Sequence, residues 1–344
     1  MEELLPCVFA VQSPVFELLA SMFRLQSHER LTRGNLVGLA EFDLDLWVDQ
    51  VRSKLPDDVK QALELFFDFE SFIGLSMVQF AWKTETWRSV DAFLTEMKAA
   101  SPHALFESFL QTGFTPGDVP AVEDTERIRA YIARTALPTT EKWKLAYLYL
   151  ERDSTKQEFI KLVERCNELY FSAEWDRLSK IQAANIQELR AKVRSRPDLM
   201  RQFPYLYVKD AETTVVLAPS IFYHVDSLSA ADDEQALFIT VYGIHMAGFW
   251  ASQIGNQIEI VQVLKVLSDE TRIKIIKALR GGEKFGYELA ERLDVSSSTV
   301  SHHLGHLASI GIVSGERVEN RIYYRLETER LRQLLAAVAQ ELGG

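Results

Sequence analysis

Between Ser296 and Leu307 the chain sets Ser297, Ser298, Thr299, Ser301, His302 and His306 around three apolar residues, Val300, Leu304 and Leu307. The apolar three are spaced four and three apart, which gathers them on one side of a helix. Hydroxyls and imidazoles are left for the other side. Small hydroxyls let a helix sit deep in a major groove, where they bond phosphates or base edges. An imidazole at 302 can donate to a guanine acceptor or to a phosphate. His302 and His306 also stand at i, i+4, which is a metal-ligand spacing. No carboxylate or cysteine accompanies them, so nucleic-acid contact is the preferred reading, and no metal or other cofactor is expected. His303 belongs at the helix edge or in solvent. His28, His103, His224 and His245 are isolated and read as structural.

The elements around this helix must hold it outward. Tyr287, Leu289, Ala290 and Leu293 give a preceding helix its buried face. Asp294-Val295-Ser296 is then a turn, with Val295 filling the angle between the two helices. Two helices joined so tightly, the second polar and starting near Ser297, form a helix-turn-helix. Downstream, Ile322, Tyr324 and Leu326 alternate with Tyr323 and Arg325, a strand period, and Glu319-Asn320 suits a tight turn. This predicts a β-hairpin wing over 312–326, with Arg317, Arg321 and Arg325 in reach of phosphates or a minor groove. Upstream, Ile260, Val263, Leu264 and Leu267 form one helical stripe. Asp269 is an N-cap for the next helix, whose face is Ile273, Ile276 and Leu279 and which ends at Gly281-Gly282. A last helix, Arg330–Leu342, carries Leu331, Leu334, Leu335 and Val338 on one face. That face calls for a partner, and a second subunit is the natural one.

This order resembles the winged-helix domain of ArsR-like bacterial transcriptional regulators, over about residues 258–342. The carriers are Leu267-Ser-Asp-Glu-Thr-Arg-Ile-Lys-Ile-Ile276, Glu288-Leu-Ala290, Ser298-Thr-Val-Ser-His-His-Leu304, Gly311-Ile-Val313 and Asn320-Arg-Ile-Tyr-Tyr-Arg-Leu326. The resemblance implies a homodimer joined through the first and last helices of this domain. It also implies DNA contacts at Ser297, Ser298, Ser301, His302 and the wing residue Arg321. The family's metal sensors carry a cysteine pair that would fall in Glu288–Leu293, and His and Asp ligands that would fall in Glu327–Leu342. This chain has none of them there. The long N-terminal part resembles the accessory domain that precedes the winged helix in some longer bacterial regulators.

That N-terminal part is mostly helical in pattern. A short strand near Val8–Val11 leads into a helix from Ser13, with Pro14 in its first turn. Helical spacing dominates from Leu44 to about Ala100, where Trp47, Val51 and Leu55 recur. Residues 112–120 read as a loop, and helices follow at 123–134, 139–151, 155–170 and 174–195. Tyr205–Val208 and Thr213–Leu217 suggest a hairpin and Ile221–Val225 a further strand; Leu237–Ala251 fits a strand or a helix. Phe66, Phe67, Phe69, Phe72 and Ile73, with Trp82 and Trp87, read as core in preference to an effector pocket. Pro219, Tyr223, His224 and Asp226 read as loop or core in preference to a pocket edge.

The fold class expected is therefore mainly α with small β elements. A helical N-terminal domain with a few strands, residues 1–255, would precede a winged helix-turn-helix domain, residues 256–344. The net charge of −11 disfavours a polyanionic partner for the chain as a whole, but residues 256–344 hold 12 Lys plus Arg and 12 Asp plus Glu. The whole excess lies in the first 255 residues, which disfavours them as a second DNA surface. Two distant cysteines, Cys7 and Cys166, argue for a reducing compartment and against a disulfide scaffold. The longest apolar run, Leu237 to Trp250, falls short of the roughly 20 residues of a membrane span, so the expectation is a soluble cytoplasmic protein. No GxGxxG after a strand, GxxxxGK[ST], HExxH or GxSxG occurs. A homodimeric, non-catalytic transcription regulator, a repressor acting on a two-fold symmetric operator in double-stranded DNA, is the first reading. A winged helix reused to bind a partner protein is the second. The input to the N-terminal domain, whether a small molecule, a protein or dimerisation alone, is left open.

Overall fold

The computed structural model describes residues 1–31, 42–71, 73–110, 124–135, 137–195, 213–223, 227–232, 236–244, 260–295, 297–318 and 321–343. The chain starts with strands β1 (Glu2–Leu5) and β2 (Val8–Ala10), which form an antiparallel pair. Helix α1 (Pro14–Ser27) follows. Ser13 caps it by accepting from the Phe16 N–H at 3.0 Å, and Pro14 sits where a missing N–H costs nothing.

Helices α2 (Leu44–Lys54), α3 (Asp57–Phe67), α4 (Met77–Lys83), α5 (Val90–Ala99), α6 (Pro102–Leu110), α7 (Thr125–Arg134), α8 (Thr139–Leu150), α9 (Arg152–Cys166) and α10 (Ser172–Ser195) then pack in succession. One π turn, Asn167–Phe171, joins α9 to α10. The 112–120 loop lies outside the described residues.

Three strands complete the N-terminal part: β3 (Thr214–Ser220), β4 (Ser227–Asp232) and β5 (Leu237–Gly243). The sheet order is β1-β2-β3-β5-β4, with β2, β3 and β5 parallel and β4 antiparallel to β5. Alternate residues serve opposite faces. Val215, Leu217, Phe238 and Tyr242 pack against Ile186, Leu189 and Val193 of α10. Val216, Ala218, Ile239 and Val241 join the large core of α1 to α9. A strand buried on both faces reads as an unbroken apolar run, which is why Leu237–Gly243 carried no period-2 signal. The hairpin expected at Thr213–Leu217 is corrected: that segment pairs in parallel with strands distant in sequence, and Tyr205–Val208 lies outside the described residues. Ile221–Tyr223 is a buried turn, not a strand.

Phe66, Phe67, Phe109 and Phe159 form the centre of the large core, with ring centroids 5.0–6.2 Å apart among the paired rings. Trp82 stacks on Trp87 at 5.4 Å. These aromatics are core, as expected; Phe72 lies outside the described residues. Buried polar groups tie the sheet to its helices. Glu17, 1 % exposed, accepts from the Ile221 N–H at 2.9 Å and from Gln182 Nε2 at 3.1 Å. Gln182 also donates to the Pro219 carbonyl at 2.8 Å, and Arg24 Nε to that of Phe222 at 2.6 Å. Burial pushes the Glu17 carboxyl up to about 7, against these hydrogen bonds.

A separate apolar cluster, Val263 to Leu334 with Leu331 and Val338 against it, organises the C-terminal part. Its elements are α11 (Ile260–Leu267), α12 (Glu270–Leu279), β6 (Lys284–Phe285), α13 (Gly286–Leu293), α14 (Ser297–Ser309), β7 (Val313–Val318), β8 (Arg321–Leu326) and α15 (Thr328–Gly343). The expected boundary near Gly255 lies outside the described residues. No helix among the described residues is long and apolar enough to cross a membrane.

Candidate nucleic-acid interface

Helix α12 anchors the unit. Asp269 caps it, accepting from the Arg272 N–H at 2.9 Å. Arg272 turns back and donates through Nε to the Val266 carbonyl at 2.6 Å, closing the end of α11. Helix α13 is fixed at its start by the Phe285 N–H, which donates to Glu288 Oε2 at 3.1 Å. Its Leu289 and Ala290 are buried. Asp294 then takes a left-handed conformation, φ 54°, and the Val295 N–H bonds the Ala290 carbonyl at 3.1 Å. This compact reversal, with Val295 against the core, sets α14 across α13.

On α14, Val300, Leu304 and Leu307 are fully buried. Ser301 is exposed, and Thr299 and His302 are half-buried. Ser297 and Ser298 form the first turn; their side chains lie outside the described residues. His306 differs from expectation. It is 7 % exposed, because its ring meets the His302 ring edge-on at 4.6 Å and tucks beneath it. His303, expected at the edge or in solvent, directs Nδ1 toward Asp269 Oδ1 at 3.5 Å. Burial draws the His303 imidazole down to about 4 despite that carboxylate, and burial likewise holds His306 well below its ordinary range. Sequence spacing missed the His303–Asp269 pair, because the two residues lie on different helices.

The wing forms as predicted. β7 and β8 pair antiparallel with Arg317 opposite Ile322 and Val318 opposite Arg321. Glu319 and Asn320, and the side chains of Arg317 and Arg321, lie outside the described residues. β6 adds a third strand beside β8. Tyr324 is buried, while Arg325 is exposed and donates to Glu327 at 3.1 Å. Gly311, φ 73°, makes the turn from α14 into the wing, a backbone state costly for any side chain with a Cβ.

Helices α11 and α15 pack together. Leu334 of the predicted apolar face is buried and Leu331 and Val338 partly so, whereas Leu335 (49 %) and Leu342 (68 %) on α15 and Leu264 (42 %) on α11 stand exposed. Among the described residues, a contact reaches the N-terminal part: the Phe69 ring meets His302 edge to face at 5.6 Å. Phe69 is itself held by Phe23 and by the Arg30 guanidinium, 4.4 Å over its ring.

Comparison with known proteins agrees with this geometry. The family model "Bacterial regulatory protein, arsR family" matches residues 269–314, which run from the α12 cap into the wing. The chain is similar to a cadmium resistance transcriptional regulatory protein CadC homolog of Staphylococcus aureus, 36 % identical over 81 residues, covering 23 % of this chain and 67 % of that protein. It is also similar to the transcriptional repressor SdpR of Bacillus subtilis, 39 % identical over 66 residues, covering 19 % of this chain and 73 % of the repressor. The HTH-type transcriptional regulator KmtR of Mycobacterium tuberculosis is 37 % identical over 76 residues, covering 22 % and 58 %. All three similarities cover about a fifth of this chain. On the evidence of its cap, turn, polar helix and wing, and of these relatives, the chain belongs to the arsR family of bacterial regulatory proteins.

Proposed function

We propose that the chain is a homodimeric, sequence-specific DNA-binding transcriptional repressor, with α14 in a major groove and the wing on the backbone or minor groove. The observation that carries this reading is the two-sidedness of α14. Val300, Leu304 and Leu307 are sealed into the core while Ser301 faces solvent. Ser297, Ser298, Thr299, Ser301 and His302 are the groove contacts in this reading, and Arg317 and Arg321 neutralise phosphates. His306 supports His302 from beneath. The exposed leucines of α11 and α15 are the surface a second copy covers, and a two-fold dimer calls for a two-fold symmetric operator. Residues 1–255 act as an accessory domain for input or dimer support, and residues 256–344 bind DNA. The similar SdpR is named a transcriptional repressor, which favours repression.

The test is selection of duplexes from a random pool at moderate salt. The expected product is a two-fold symmetric site whose affinity falls steeply with salt as counterions are released. Arg321→Ala weakens all duplexes alike. His302→Ala changes base preference, by about 1–3 kcal/mol if the ring touches a base. A pool that yields no enriched site would refute the reading and leave a protein partner as the ligand of the winged helix.

A further inference from the structure

Helix α8 is turned the wrong way for a surface helix. Its exposed residues are Thr139, Thr140, Trp143, Tyr147 and Leu150, none of them charged. Trp143 is 74 % exposed, Tyr147 61 % and Leu150 64 %. The charged residues of the helix are held against the protein instead. Glu141 is buried and meets Lys144 at 2.7 Å, and Lys142 Nζ donates to the Ala133 carbonyl at 2.8 Å. A helix bounded by water shows the opposite pattern, with its apolar side in and its charges out. Trp143, Tyr147 and Leu150 are spaced four and three apart, the a and d spacing of a helix–helix seam. An aromatic side chain offers about 150–250 Å2, so at these exposures the three together present roughly 400 Å2. An apolar patch of that size marks an interaction site.

We propose that this stripe packs on the same stripe of a second copy, antiparallel, about a two-fold axis at Tyr147. Self-complementarity and area single out a second copy. In an antiparallel pair Tyr147 meets its own counterpart, and Trp143 lies opposite Leu150 of the other copy. A large side chain then faces a small one at both ends, and the helices stay evenly spaced. Parallel pairing would set Trp143 on itself, splay the helices and align their dipoles unfavourably. A stable interface buries about 800 Å2 on each partner, about twice what the stripe presents, so α8 does not hold a pair alone. The exposed Leu264 of α11 and Leu335 and Leu342 of α15 supply a further share. This role for α8 rests on the homodimer reading above: α8 reinforces the pair that the winged helices begin.

The experiment is disulfide cross-linking of the full-length chain carrying Cys7→Ser, which leaves only the buried Cys166. A disulfide needs Cα atoms within about 7 Å, so Tyr147→Cys, beside its own counterpart, should link chains in pairs when oxidised with copper phenanthroline. Asp91→Cys, exposed on α5, should not. Trp143→Cys and Leu150→Cys should link when mixed and far less when oxidised separately. Trp143→Glu should keep the circular dichroism of the wild type and raise the dimer dissociation constant about tenfold or more, read by sedimentation. No cross-link at 147, together with a dimer undisturbed by Trp143→Glu, overturns the α8 contact and leaves the winged-helix dimer standing. A dimer split by Trp143→Glu but not by Leu335→Glu sustains the α8 contact and refutes the winged-helix one. Binding to phosphatidylcholine vesicles that is lost in Trp143→Glu, with no cross-link at 147, would assign the stripe to a lipid surface and overturn the pairing.

Discussion

Replacing Glu17 with glutamine should remove a titration from the middle of the N-terminal core. The carboxyl is fully buried among α1, α10 and the turn after β3, and its pKa is raised from 4.5 to about 7 mainly by desolvation. A group with a raised folded-state pKa binds its proton more tightly in the native than in the unfolded chain. Its contribution to stability is therefore fully present below pH 4.5, falls as pH rises toward 7, and is gone above that. At about 1.4 kcal/mol per pKa unit the span is roughly 3 kcal/mol. Glutamine keeps the length and can still accept from the Ile221 N–H. Its amide can face Gln182 Oε1, which has no hydrogen-bond partner in the wild type. All six tryptophans lie in residues 1–250, so indole fluorescence follows unfolding of this part alone. Urea midpoints should show the wild type losing roughly 3 kcal/mol relative to Glu17→Gln between pH 4.5 and pH 8. A wild-type-minus-variant difference that stays flat across that range would refute the argument.

Three further outcomes are expected. Gly74→Ala places a Cβ 2.4 Å from the Phe67 ring, and Phe67 is sealed in the aromatic core, so the same fluorescence assay should show a loss of about 2 kcal/mol. Leu335→Glu adds a charge to an exposed position and should leave the fold intact by circular dichroism while shifting sedimentation from dimer to monomer; an unchanged dimer would move the interface elsewhere. Phe69→Ala removes an edge-to-face contact with His302 worth about 0.5–1.5 kcal/mol. Because that ring cannot lean on Phe69 and touch a base at once, duplex affinity should rise severalfold, measured by fluorescence anisotropy.

The winged helix was legible in the sequence because everything that defines it is local. The Asp269 cap, the apolar spacing of Val300, Leu304 and Leu307, and the alternation from Ile322 to Leu326 each lie within one element. The N-terminal sheet was not legible, for two reasons. Its strands bury both faces, so Leu237–Gly243 lacked alternation, and β2 finds its neighbour β3 across nearly the whole domain. The turn at Ile221–Tyr223 looked like a strand because it is as apolar as one, being buried where Arg24 and Glu17 bond its backbone. In the candidate interface, spacing found the His302–His306 pair but not its burial. Which of two flanking imidazoles turns under the other depends on rotamers that a pattern of residue types does not record.

The pairing of β2 with β3 also governs how the chain can be made. Val8 pairs with Val215, whose strand leaves the ribosome about 200 residues after residues 2–10 do. At about 5–20 residues per second, that gap lasts roughly 10–40 seconds. Throughout it the short opening hairpin has an unfilled edge while the helices of the insert pack behind it. The sheet closes only as β5 appears, just before the winged helix is synthesised. The DNA-reading unit, built from near neighbours in sequence, needs no such wait. The winged helix can thus be ready almost as soon as the sheet that precedes it is finished.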